Sequence, residues 1–215
     1  MSEELGKIEK PTVVEFKKGR KLYFIPLIYS SKDVPADYLE IFDKYWEQVE
    51  GHISELELKL GQISKIYHEL IPSPEEDGIK VLKGLNDRSC RIVEKRVKKG
   101  CKLEVIEDAE LLTEFMDWNR CLTIGLQNHK VLTKVYESYI EVNKIRNEFI
   151  STHIDETLEA DEIGMLFLRE EHQVKFPSGV EVFYVTPPAL DELKRWLRNH
   201  EGQLSNPGDE EAGKD

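Results

Sequence analysis

The sequence predicts an α/β protein: a mixed, mainly parallel sheet flanked by long amphipathic helices, with antiparallel strands at its N- and C-terminal ends. Three observations carry this expectation. Between residues 21 and 125, β-rich runs alternate with helical patterns, an order that implies crossovers between parallel neighbours. Lys21 to Tyr29, KLYFIPLIY, is almost continuously apolar, as a strand covered on both faces requires. Each end of the chain then joins β-rich runs through a glycine-containing turn, Lys17-Lys18-Gly19-Arg20 or Pro177-Ser178-Gly179, which reads as a hairpin.

Residues 1–10 are charged and aperiodic and read as a flexible arm, 11–200 as a single α/β domain, and 201–215 as a disordered acidic tail. Thr12 to Phe16 and Lys21 to Tyr29 form the first expected hairpin, with Pro26, which lacks an N–H, marking a bulge or an edge. Pro35 opens a helix on which Leu39, Phe42, Trp46, Val49, Ile53, Leu56 and Leu60 recur every three or four residues, and Gly61 closes it. That stripe faces the core or, taken as heptads, a dimer seam. Gln62 to Leu70 could continue the helix, but Gly61 and an Ile-Tyr pair favour a strand. One helix is expected from Ser73, its N-cap, through Pro74 and a capping-box Glu76 to Lys99, with Gly100 beyond it.

Lys102 to Ile106 is the next strand, and Asp108 caps a helix carrying Leu111, Phe115, Trp118 and Leu122. A long helix from Asn128 to about Leu158 presents Val131, Val135, Tyr139, Val142, Phe149, Ile154 and Leu158. Ile163 to Leu168 is a strand, His172 to Phe176 alternates and pairs back with Val180 to Val185, and Thr186 caps a helix begun by Pro187 and Pro188.

The chain carries 30 Lys and Arg against 42 Asp and Glu, a net charge of −12. Such a surface repels polyphosphate, so nucleic acid is a disfavoured partner. The one dense basic run, Arg91, Lys95, Arg96, Lys98, Lys99 and Lys102, is spread over several faces and reads as a solvated helix end. Cys90, Cys101 and Cys121 are odd in number and lack Cys-x-x-Cys spacing, which fits reduced thiols in a cytoplasmic protein. No apolar run approaches the ~20 residues of a membrane span, and no leader pattern is present, so no membrane association is expected.

Neither a G-x-G-x-x-G nor a P-loop occurs, nor a G-x-S-x-G elbow, nor H-E-x-x-H. What remains is position: in parallel sheets, ligands bind beyond the carboxyl ends of the strands. Those ends hold Tyr29, Ser30 and Ser31, then His68 and Glu69, then Glu107 and Asp108. His68, Glu69, Glu107 and Asp108 are candidate acid/base groups, and His68, Glu107 and Asp108 candidate ligands for a divalent metal. The structural alternative makes Asp108 a helix cap and His68 with Glu69 loop residues. No organic cofactor is predicted. Asp117 and Arg120 beside Trp118 read as a surface pair next to a core aromatic, and Cys121 as an inert thiol. Arg195 with Trp196 is a candidate partner-binding pair, since such residues are enriched in binding hot spots.

The strings GRKLYFIPLIYS, KIYHE, EDAELLTEFMDWNRCL and MLFLREEHQVKFPSGVEVFYVTPPALDELKRWL resemble those of an uncharacterised prokaryotic family of conserved hypothetical proteins over residues 19–199. The resemblance implies a single unit and no catalytic assignment. The layout is also similar to the α/β domains of archaeal release-factor-like proteins. Their Gly-Gly-Gln motif is absent, Glu201-Gly202-Gln203 does not replace it, and peptidyl-tRNA hydrolysis is not implied.

Three functions follow as expectations. The first is a non-catalytic interaction or regulatory module that binds a protein partner or self-associates through its amphipathic helices or the Trp196 end. The second is a metal- or small-ligand-dependent enzyme or binder with its site at the strand ends. The third is a ribosome-associated factor.

Overall fold

The computed structural model describes residues 18–30 and 34–204, with side chains up to residue 200. The expected arm, the strand at Thr12 to Phe16 and residues 205–215 of the expected tail lie outside the described residues. Among the described residues five strands, β1 (Arg20–Pro26), β2 (Lys65–His68), β3 (Lys102–Glu104), β4 (Ile163–Leu168) and β5 (Val180–Tyr184), form one sheet. Its order is β3-β2-β4-β1-β5, and every neighbouring pair is parallel. The helices are α1 (Ala36–Leu60), α2 (Glu75–Leu85), α3 (Asp87–Val97), α4 (Ala109–Thr123), α5 (His129–Thr157) and α6 (Pro188–Leu204), the last reaching into the segment expected as tail.

The α/β class and the parallel centre agree with the sequence; the antiparallel end strands do not. β1 is flanked by β4 on one side and β5 on the other, and both are parallel to it. At the other end, His172 to Phe176 is not a strand. Its period-two alternation has another cause. His172, Val174 and Phe176 turn onto one face of the sheet, with the His172 and Phe176 rings 5.1 and 6.1 Å from that of Phe24. The segment covers the sheet as a crossover without a helix, and the turn after it delivers β5 parallel to β1.

Two apolar layers sandwich the sheet. On one face Tyr23, Ile25, Ile66, Met165 and Phe167 pack against α1, α2, α3 and α6. On the other Leu22, Phe24, Tyr67, Leu166 and Leu168 pack against Ile150 and Ile154 of α5, Leu158 at its C-terminal cap, and Val174. The α1 stripe is core rather than a dimer seam: Phe42, Trp46, Val49 and Ile53 are buried, each contributing about 1.5–3 kcal/mol. Leu39 falls outside the stripe and is exposed.

The single helix expected from Ser73 to Lys99 is two. Asn86 interrupts it, because its side-chain oxygen accepts from the N–H groups of Arg88 and Ser89 and so starts α3, while its amide donates to the Ile28 carbonyl. No side chain caps α2, whose entry is set by Pro74. The basic run is not uniformly solvated either: Arg96 is buried on Glu50 and Glu57, at 2.8 and 3.2 Å.

Candidate functional site

All five strands deliver their following residues to the same edge of the sheet, and the chain diverges there after two of them. After β2 the chain turns to the face covered by α2 and α3; after β4, its neighbour, it turns to the opposite face. Crevices between such diverging loops are where ligands reach parallel sheets. This one is filled by charge.

Arg146, midway along α5, is the centre. Its Nε donates to Glu107 Oε2 at 2.8 Å, its Nη2 donates to Glu107 Oε1, and Nη2 lies 3.5 Å from Glu69 Oε2. Arg169, just beyond β4, donates its backbone N–H to Glu69 Oε1 at 3.2 Å and sets its Nε beside the same carboxylate. Glu69, Glu107 and Arg146 are almost wholly buried, whereas the Arg169 side chain is 42% exposed. Phe115 of α4 lies beneath both guanidiniums, 4.8 Å from Arg146 and 6.0 Å from Arg169.

Burial pushes the Glu69 carboxyl above its ordinary pKa, opposed by Arg169 and Arg146. For Arg146 burial works against the charge, but the Glu107 and Glu69 carboxylates outweigh it and hold the pKa up. The Tyr29 hydroxyl, after β1, is also pushed up, first by burial and then by Glu69, and it has no hydrogen-bond partner among the described residues. Leu70 adopts φ 64°, a left-handed conformation disfavoured for a side chain of its size, and its N–H is held by Glu107 Oε1 at 2.8 Å. Strain of this kind gathers at functional sites.

Beside the cluster lies a cavity of about 110 Å³ lined by Glu69, Phe115, Tyr139, Arg146, Arg169 and His172, with Asn143, Asn147, Leu168 and Glu171 completing the wall. The Nη1 of Arg146 and both terminal nitrogens of Arg169 take no part in the hydrogen bonds above. A guanidinium with free terminal N–H groups is a receptor for an oxyanion.

The structure divides the residues picked from the sequence. Glu69 and Glu107 meet on Arg146. His68, the last residue of β2, directly precedes Glu69 and so turns to the opposite face, where it is fully buried with Nδ1 2.7 Å from the Glu69 carbonyl and Nε2 3.1 Å from Ser89 Oγ. Burial pushes its pKa down to about 4, against the raising effect of the Glu69 carbonyl, so it sits as a neutral core imidazole. Asp108 is exposed and caps α4 by accepting from Leu111 N–H at 2.8 Å. Among the described residues no group of three His, Cys, Asp or Glu side chains is arranged to hold a metal ion. Ser31 lies outside the described residues.

Arg195 and Trp196 are also separated. Arg195 is exposed, but Trp196 is packed against Tyr38 of α1 and donates from Nε1 to Asp37 at 2.7 Å, so it closes the core instead of offering a surface. Asp117 and Arg120 form a surface pair at 2.9 Å, beside a half-buried Trp118. Cys90 and Cys101 are buried free thiols, and Cys121 is half-buried.

Arg146 and Arg169 escaped the sequence reading, although Arg146 left a signal. It stands in the stripe Val142, Arg146, Ile150, Ile154, a core position where a cation requires buried carboxylates. Arg169 carries no comparable mark. Among the described residues no helix is long and apolar enough to cross a membrane. Compared with protein-family models, with curated proteins and with solved structures, the chain matches none.

Proposed function

We propose that the protein is a small-ligand-binding module whose ligand sits at the carboxyl edge of the sheet. The supporting observation is the cavity lined by Arg146 and Arg169, whose remaining terminal nitrogens make no hydrogen bond among the described residues. Both buried carboxylates are already engaged by guanidiniums, an arrangement suited to positioning a ligand rather than to moving protons. Thermal unfolding of the full chain against a panel of small carboxylates, phosphates and amino acids tests the reading. At least one should raise the Tm of wild type and leave Arg169→Leu, altered at a partly exposed position, unmoved; no shift with any of them overturns it.

A second reading, self-association through the hairpin of α4 and α5, rests on a different observation. Over the first half of α5 only Val135 and Val142 are buried, while Leu132, Tyr136 and Ile140 form an exposed stripe at four-residue spacing. Sedimentation equilibrium should show a dimer that Tyr136→Glu with Ile140→Glu converts to monomer. A strictly monomeric wild type at about 100 μM, where even a weak dimer with a Kd near that value would be half formed, rejects it.

A further inference from the structure

Resting on the pocket reading above, we infer that the ligand is a small α-amino acid, its carboxylate held by the free guanidinium nitrogens of Arg169 and Arg146 and its ammonium by Glu171. Size is the first argument. At about 110 Å³ the cavity holds roughly three or four waters at ~30 Å³ each. Pockets for drug-sized ligands run to about 300–1,000 Å³, so a nucleotide or sugar phosphate does not enter and a compact molecule does.

Charge is the second. The cavity wall carries Arg146 and Arg169 against Glu69 and Glu171, and Glu107, outside the lining, is bound to Arg146, so two cations stand against three carboxylates. A simple anion bound there meets one uncompensated carboxylate, because Glu69 and Glu107 are neutralised by the arginines whereas Glu171 is exposed and engages none of the cations among the described residues. A ligand with its own cation next to its anion satisfies both kinds of free group. Phe115, Tyr139 and Leu168 supply an apolar wall for a short side chain, and the amide groups of Asn143 and Asn147 line the same space.

Isothermal titration calorimetry on the full chain separates the possibilities, with glycine, alanine and serine as probes and acetate, phosphate and methylammonium as their part-ligands. An amino acid should bind one to one and at least about tenfold more tightly than acetate or methylammonium, the factor expected for one added charged hydrogen bond. Arg169→Leu should weaken it about tenfold or more and Glu171→Gln by a similar factor, while Glu181→Gln, on β5, should not change it. Both altered positions are exposed or partly exposed, so folding is retained and circular dichroism verifies it. Acetate or phosphate binding as tightly as the amino acids, or Glu171→Gln leaving affinity unchanged, overturns the zwitterion and leaves an anion pocket. Silence from every probe overturns the pocket reading as well.

Discussion

Replacing Arg146 by methionine keeps most of the apolar stem of the side chain and removes the guanidinium with its charge and donors. Two carboxylates lose their partner at once: Glu107, bound through both its oxygens, and Glu69, 3.5 Å away. All three groups are almost wholly buried, so solvent offers no replacement. Breaking a buried ion pair from one side costs about 3–5 kcal/mol, which for a domain of this size corresponds to a fall in Tm of about 6–20 °C. Urea unfolding followed by the fluorescence of the buried Trp46 and Trp196 measures it. The companion variant Arg146→Met with Glu107→Gln should recover at least about 1 kcal/mol, since the amide oxygen still accepts the Leu70 N–H and carries no charge. Acid should narrow the deficit too. Burial already raises the Glu69 pKa, loss of Arg146 raises it further, and a raised carboxyl destabilises the fold only as the pH climbs past its unfolded value. A loss below about 1 kcal/mol, or a double variant no more stable than the single, refutes the view that charge pairing organises this edge.

His68 predicts a separate pH effect. Its folded pKa, pushed down to about 4 by burial, lies below the unfolded value, so stability is fully present above about pH 6.5 and falls by up to about 3 kcal/mol as the pH drops to 4; in His68→Phe that part of the slope should vanish from urea titrations. Gly164 on β4 has no room for a methyl group, since an added Cβ would stand 2.9 Å from both Leu22 Cδ1 and Tyr67 Cε2. Gly164→Ala should therefore cost about 1–3 kcal/mol in the same assay, and an unchanged midpoint would show that the sheet face yields more easily than its packing implies. Trp196→Ala should lower stability by about 3–5 kcal/mol, as a core residue does, while Arg195→Ala should leave the urea midpoint nearly unchanged.

Elements whose signals are local were legible in the sequence. The α1 stripe and its stop at Gly61, the Asp108 cap, the span of α5 and the limits of β4 follow from periodicity and capping, and β2 is a strand where a continued helix was the competing possibility. Asn86 could have been read, since Asn-Asp is a helix start, but an uninterrupted amphipathic pattern on either side hid it. The C-terminal hairpin failed for a tertiary reason. Alternation records which side chains face an apolar surface, and the segment holding His172, Val174 and Phe176 meets that surface by lying across the sheet, not by pairing within it.

The candidate site divides along the same line. Glu69 and Glu107 were legible because strand ends can be counted, but which of two adjacent residues enters the crevice depends on the pleat, and the pleat sends His68 to the other face. Their partners come from far along the chain. Arg146 is 39 residues beyond Glu107, and Arg169 is 100 beyond Glu69, brought beside it only because β4 inserts between β2 and β1. Had β4 added to the outer edge of β3, Arg169 would stand two strands from Glu69 and its donors would open onto solvent. The inserted strand is therefore what turns a row of strand-end carboxylates into a walled pocket, and the same insertion turns the chain after β4 across the sheet to bring His172 and Glu171 to the cavity wall.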